Sequence, residues 1–236
     1  MTTRRQLLKT IPAMTAALAI PGHALADTEI PAMTKQARSQ LTPDQALELL
    51  KEGNERFVSG KMLQRDLMAQ VKATAAGQFP FAGILGCMDS RVPPEIVFDQ
   101  GIGDIFSARI AGNFANTDFI GSFEFATKLA GTKLIVVLGH TECGAIKGAA
   151  DNAQLGNLTQ TLSNLMPAVY ATTDVQGERN SANEAFVTAV AEQNVRLNVK
   201  ALLTRSTILH DLAKADRIKV VGAMHDVSTG RITFLD

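Results

Sequence analysis

The chain has 236 residues, 46% of them hydrophobic, and its 23 basic side chains balance 23 acidic ones to a formal net charge of +0. That length and apolar content suit a sizeable core and exclude a disordered chain, while the charge balance argues against nucleic-acid binding through bulk positive charge. No apolar run reaches the roughly 18 residues of a membrane helix, 2 cysteines cannot build a disulfide scaffold, and 0 tryptophans with 1 tyrosine (Tyr170) leave no stacking platform for bases.

Residues 1–26 read as an address rather than as fold. Arg4-Arg5 and Leu7-Leu8-Lys9 open the segment, an apolar stretch from Ile11 to Ile20 is broken only by Pro12 and Thr15, and Ala24-Leu25-Ala26 supplies a signal-peptidase pattern before Asp27. The arginine pair resembles a twin-arginine export signal, a route that carries folded proteins, often with the cofactor in place. The alternative is an ordinary secretory signal with incidental arginines. Either way the expected location is periplasmic or otherwise exported, and residues 27–236 remain as a single domain. Removal takes away Arg4, Arg5 and Lys9 and no acid, so the mature chain is net negative.

Thr42-Pro43-Asp44-Gln45 is a helix start: a capping threonine, proline at the first helical position, and glutamine three residues after the cap. Leu47, Leu50 and Phe57 give that helix an apolar stripe ending near Gly60, and a second helix is expected from Asp66 to Ala76. These two form an N-terminal helical arm. Strands are expected at Phe81 to Gly86, Asp104 to Ile110, Lys133 to Leu138, Arg217 to Ala223 and, after a turn, Arg231 to Leu235. The first and third are almost wholly apolar, as strands covered on both faces are. Helices fit between them at Asp118 to Ala130, Gly144 to about Ala153, Thr159 to Tyr170 and about Asn183 to Ala215. The pattern predicts an α/β fold: a mainly parallel sheet in the order 2-1-3-4 with a short fifth edge strand, flanked by helices.

The chain's cysteines, Cys87 and Cys143, each fall just after a buried-type strand. Cys143 belongs to His140-Thr141-Glu142-Cys143-Gly144, and Cys87 opens Cys87-Met88-Asp89-Ser90-Arg91. Strands one and three are neighbours in the expected order, so their carboxyl ends flank the crevice where open α/β sheets bind ligands. Two thiolates and one imidazole suit one Zn²⁺, and three protein ligands leave a place free, as catalytic rather than structural zinc sites do. His225, after strand four, is the rival ligand; His23 leaves with the signal and His210 lies far along the chain. A disulfide between Cys87 and Cys143 is the bland alternative, with Asp89-Ser90-Arg91 as a surface turn.

The paired motifs, Cys-x-Asp-Ser-Arg and His-x-x-Cys-Gly after a buried strand, resemble those of the β-class carbonic anhydrases over nearly all of the mature chain. The resemblance implies reversible hydration of carbon dioxide to bicarbonate and a proton by a zinc-bound hydroxide, a lyase activity in a homodimer or multiple of dimers whose site lies at the subunit interface. It implies that Asp89 orients the attacking group, that Arg91 keeps Asp89 ionised, and that the pair leaves the site open. In relatives that close, the aspartate becomes the fourth metal ligand. It also places Gln78, Phe106, Ala111, Phe125 and the backbone of Gly144 at the substrate. Phe125 stands where relatives commonly have tyrosine, so a hydroxyl is lost. Two other readings remain at this stage: a carbon disulfide or carbonyl sulfide hydrolase on the same fold, and a non-catalytic zinc or redox protein. Neither a nucleic-acid partner nor a membrane span is expected.

Overall fold

A computed structural model describes residues 30–235; the expected export signal lies outside them. The arm comprises α1 (Lys35–Gln40), α2 (Pro43–Val58) and α3 (Leu67–Thr74). Then follow β1 (Ala82–Gly86), α4 (Pro94–Val97), β2 (Ile105–Arg109), α5 (Thr117–Glu124) and β3 (Leu134–His140). The remainder is α6 (Gly144–Ala150), α7 (Gly156–Ser163), α8 (Met166–Ala171), α9 (Glu184–Arg205), α10 (Thr207–Lys214), β4 (Lys219–His225) and β5 (Ile232–Leu235).

The sheet order is β2-β1-β3-β4-β5, with every pairing parallel except β5 against β4. This is the predicted α/β architecture. All residues of β1 and β3 are buried, and the pleat divides them between two cores. Leu85, Ile135 and Val137 face one core with Val190 and Val195 of α9, while Ile84, Leu134, Val136 and Leu138 face the other with Ala46 and Leu50 of α2. Helices on both faces explain why these strands carry no polar alternation. At Gly139 a Cβ would lie 2.6 Å from Val195 Cγ2, so only glycine lets α9 sit this close to the strand that ends in His140.

The capping box at Thr42 and Gln45 forms as predicted, and Asp66 caps α3. Buried Asp99, between α4 and β2, ties the arm to that connection by accepting from Arg56 Nε and Arg65 Nη1, both at 2.5 Å. Two expected helices are broken. The first divides into α7 and α8, because Pro167 has no N–H to donate and fits only in an opening turn, where it stands in α8. The second divides at Ser206, whose extended backbone and hydroxyl cap α10 by accepting from the Leu209 N–H at 3.1 Å while donating to Glu124 Oε1 at 2.6 Å. α5 ends in a π-helical turn, Phe125–Leu129. β3 and β4 run to His140 and His225, each two residues past its expected end, because these histidines still pair in register. No described helix is long and apolar enough to cross a membrane.

Candidate metal centre

The chain leaves β1 directly into Cys87, β3 ends on His140, and Cys143 is the N-cap residue of α6. β1 and β3 are hydrogen-bonded neighbours with Gly86 opposite Leu138, so their carboxyl ends bring the three residues to one point. All three are buried, and their ligand atoms lie within 4.8 Å of one another. Both cysteines are free thiols, which removes the disulfide alternative.

The donor set fits zinc. His140 Nδ1 lies 2.8 Å from the Thr141 carbonyl oxygen, which can only accept, so the ring proton belongs on Nδ1 and the lone pair on Nε2. That Nε2 is buried and has no partner within the protein. An orphaned imidazole nitrogen turned toward two sulfurs is costly as it stands and is satisfied by a soft divalent cation. Tetrahedral zinc with ordinary Zn–S and Zn–N bonds needs ligand atoms about 3.5–3.8 Å apart, within the observed cluster. The sulfurs are prepared unequally. Donation from Cys143 draws the Cys87 thiol down to about 4 against the opposing effect of burial, helped by the Gly112 amide, whose N–H reaches Sγ at 3.4 Å. The same shared proton, with burial, pushes Cys143 up, while the Ala145 and Ile146 amides in the first turn of α6 favour its thiolate.

Asp89 lies beside this triangle. Arg91 grips it bidentately, Nε to Oδ1 at 3.0 Å and Nη2 to Oδ2 at 2.8 Å, and the Arg91 backbone N–H adds 2.9 Å to Oδ1. These bonds hold the carboxyl well below the usual carboxylate range. Arg91 Nη2 also donates to the Glu142 carbonyl at 3.1 Å, tying the two motif loops together.

Three residues overlooked in the sequence build the surroundings. Arg109, the last residue of β2, donates to the backbone oxygens of Cys87 at 2.9 Å and Asp89 at 2.5 Å and so fixes the loop between them. The signal was available: β2 neighbours β1, and its carboxyl end must face the same crevice. Asn194 and Asn198 on α9 are buried and bonded to each other at 2.9 Å. Asn194 donates to the Gly112 oxygen at 2.8 Å, and Asn198 accepts from the Ala115 N–H at 2.7 Å. Nothing in the sequence marks them, because their partners are more than 80 residues away and are backbone atoms.

Of the other expected site residues, Ala111 adjoins the amide donor Gly112, and Gly144 starts α6 with open space where a Cβ would stand. Gln78, Phe106 and Phe125 are not brought to the sulfurs within one chain. Gln78 is exposed ahead of the amino end of β1, opposite the end that leads to Cys87, and Phe106 pairs with Gly83 near that same end. Phe125 is 53% exposed and meets Phe106 edge-on at 6.3 Å between ring centroids. His225 stands opposite His140 on β4, outside the three-residue cluster; both its ring nitrogens are buried without partners, and burial with His140 lowers it to about 4.

A family model described as carbonic anhydrase matches residues 82–232. The chain belongs to the carbonic anhydrase family. Carbonic anhydrase 2 of Mycobacterium tuberculosis is 35% identical over 195 residues, covering 82% of this chain and 93% of that protein. The carbonic anhydrase of Mycolicibacterium smegmatis is 34% identical over 80% of this chain and 92% of its own. Among solved structures, the β-carbonic anhydrase CafA of Aspergillus fumigatus is similar with a TM-score of 0.62 at 27% identity, covering 82% of this chain and 90% of that one. A tetrameric β-carbonic anhydrase of Sordaria macrospora gives a TM-score of 0.59 at 27% identity over 68% and 83%. This carbonic anhydrase is therefore of the β class. The matched span contains Cys87, Asp89, Arg91, His140 and Cys143 and leaves Gln78 outside.

Proposed function

We propose that this chain is an exported β-class carbonic anhydrase, a lyase that hydrates carbon dioxide reversibly to bicarbonate and a proton with one zinc per chain. The observation that carries the reading is the orphaned His140 Nε2 among two sulfurs, with an ionised carboxylate 4.0 Å away. Cys87, His140 and Cys143 would hold the metal. Bound zinc would supply Lewis acidity, lowering the pKa of water toward neutrality, as in the three-histidine carbonic anhydrases.

Asp89 accepts a hydrogen bond from the attacking water and aims its lone pair at the carbon. Its pairing with Arg91 keeps it charged at neutral pH, so it orients rather than stores the proton. Arg109 keeps the Cys87–Asp89 loop from drifting, and Ala111 supplies a small apolar wall for a small apolar substrate. Asp89 would be free to serve as a fourth ligand only if its bonds to Arg91 broke. The test is stopped-flow hydration on zinc-loaded and zinc-stripped protein: proton release on mixing with carbon dioxide should follow zinc content. A loaded protein that releases none would refute the assignment.

Gln78, Phe106 and Phe125, remote from Cys87 within one chain, would line the substrate only from a second copy, so we assign the working unit as a homodimer or multiple of dimers. The tetrameric Sordaria macrospora relative supports this. Mixing Gln78→Ala with Asp89→Ala chains should restore part of the activity each variant lacks alone; no restoration contradicts the shared site. Export rests on Arg4-Arg5 and Ala24-Leu25-Ala26. Arg4→Lys with Arg5→Lys should leave the full-length precursor in the cytoplasmic fraction; undiminished export refutes the twin-arginine route.

A further inference from the structure

At the end of the sheet away from the metal centre, a cavity of about 270 Å³ is bordered by Arg38 on α1, Lys133 just ahead of β3 and Arg217 just ahead of β4, with no acidic residue in its wall. β3 has 7 residues and His140 is its last, which puts Lys133 about 23 Å from the metal centre of its own chain. Among the described ion pairs none involves Arg38, Lys133 or Arg217, so no carboxylate neutralises the cavity's three cations.

Arg38 is held in place without being satisfied. Its guanidinium lies over the Phe79 ring at 5.7 Å and against Gly131, where a Cβ would come within 3.0 Å of Cζ. Its Nε is nevertheless buried with no acceptor. Lys133 sits below the usual lysine value through burial and then through the charges of Arg217 and Arg38, so its ammonium feels both guanidinium groups. Like charges gathered around a polar hollow are a cost to the fold that an anion would relieve.

From this geometry we infer that the cavity binds a small oxyanion of the phosphate class, carrying two or more negative charges. Two guanidinium forks and an ammonium match several oxygens at once, which a monovalent ion cannot repay. The volume admits phosphate free or as the head of a small ester.

The test is calorimetric titration of the zinc-loaded protein at low ionic strength with inorganic phosphate, glycerol 3-phosphate and bicarbonate, repeated on Arg217→Ala and Lys133→Gln. Neither residue belongs to the metal centre, so both variants should hydrate carbon dioxide at the parent rate. Saturable binding of one phosphate per chain is expected, with each substitution weakening it about tenfold or more. Tighter binding of the ester than of free phosphate would identify an ester head as the ligand, and the reverse would identify the free ion. Absence of saturable binding, binding undiminished in both variants, or equal displacement by bicarbonate would each overturn the inference.

Discussion

The Oδ2 oxygen of Asp89 lies 4.0 Å from Nε2 of His140, the nitrogen that has no partner in the protein. The carboxylate thus borders the ligand triangle without entering it, because both its oxygens are engaged by Arg91. A residue in that position can direct a neighbour of the metal without being needed to hold it.

Asp89→Ala should therefore retain zinc and lose most turnover, about a hundredfold or more. Metal analysis beside stopped-flow hydration separates the two effects. Activity at the parent level would remove Asp89 from the mechanism.

Cys143→Ala should behave in the opposite way. Loss of a thiolate ligand ought to weaken zinc by more than the roughly 10–100-fold that even supporting residues cost. Equilibrium dialysis against a zinc chelator measures this. Undiminished zinc content would show that the ligand set is misassigned.

The buried asparagine pair on α9 acts on the metal centre through backbone. Gly112 has φ +85, and a Cβ there would lie 2.6 Å from Leu165 Cδ1, so the position requires glycine, and Asn194 fixes its oxygen. Asn194→Ala leaves that oxygen and part of Asn198 unsatisfied, a loss of about 1–3 kcal/mol in chemical denaturation. Zinc affinity should fall as well, since the same loop presents the Gly112 N–H to Cys87. A variant as stable as its parent would show that the network is slack.

His225 gives a pH dependence whose sign is definite. Its value of about 4 in the fold lies below the 6.5 of a free histidine, so between them the unfolded chain binds more protons. Its contribution is intact above pH ~6.5 and is lost as pH falls toward about 4, on the order of 2 kcal/mol. His225→Leu should flatten that slope in urea titrations run at several pH values. An unchanged slope would mean that His225 is solvated or charged in the fold.

The strands and the clustering of Cys87, His140 and Cys143 were legible because their signals are local: apolar runs for covered strands, and cysteine or histidine at or just after their ends. Order 2-1-3-4 then brought Cys87 and Cys143 together without any side-chain information. What stayed hidden depends on partners distant in sequence. Ser206 breaks a helix because Glu124 is there to accept from it, and Arg109 matters because two backbone oxygens of a neighbouring loop lie within its reach. Gln78 and Phe125 are exposed within one chain, and a motif gives a residue's identity and not which copy it serves.

Zinc K-edge absorption on the purified, metal-loaded chain tests the central claim most directly. Two sulfurs at ~2.3 Å with light atoms at ~2.0–2.1 Å, one of them lost in His140→Ala, is the expected shell. A shell without sulfur, or one that survives Cys87→Ala unchanged, would contradict it.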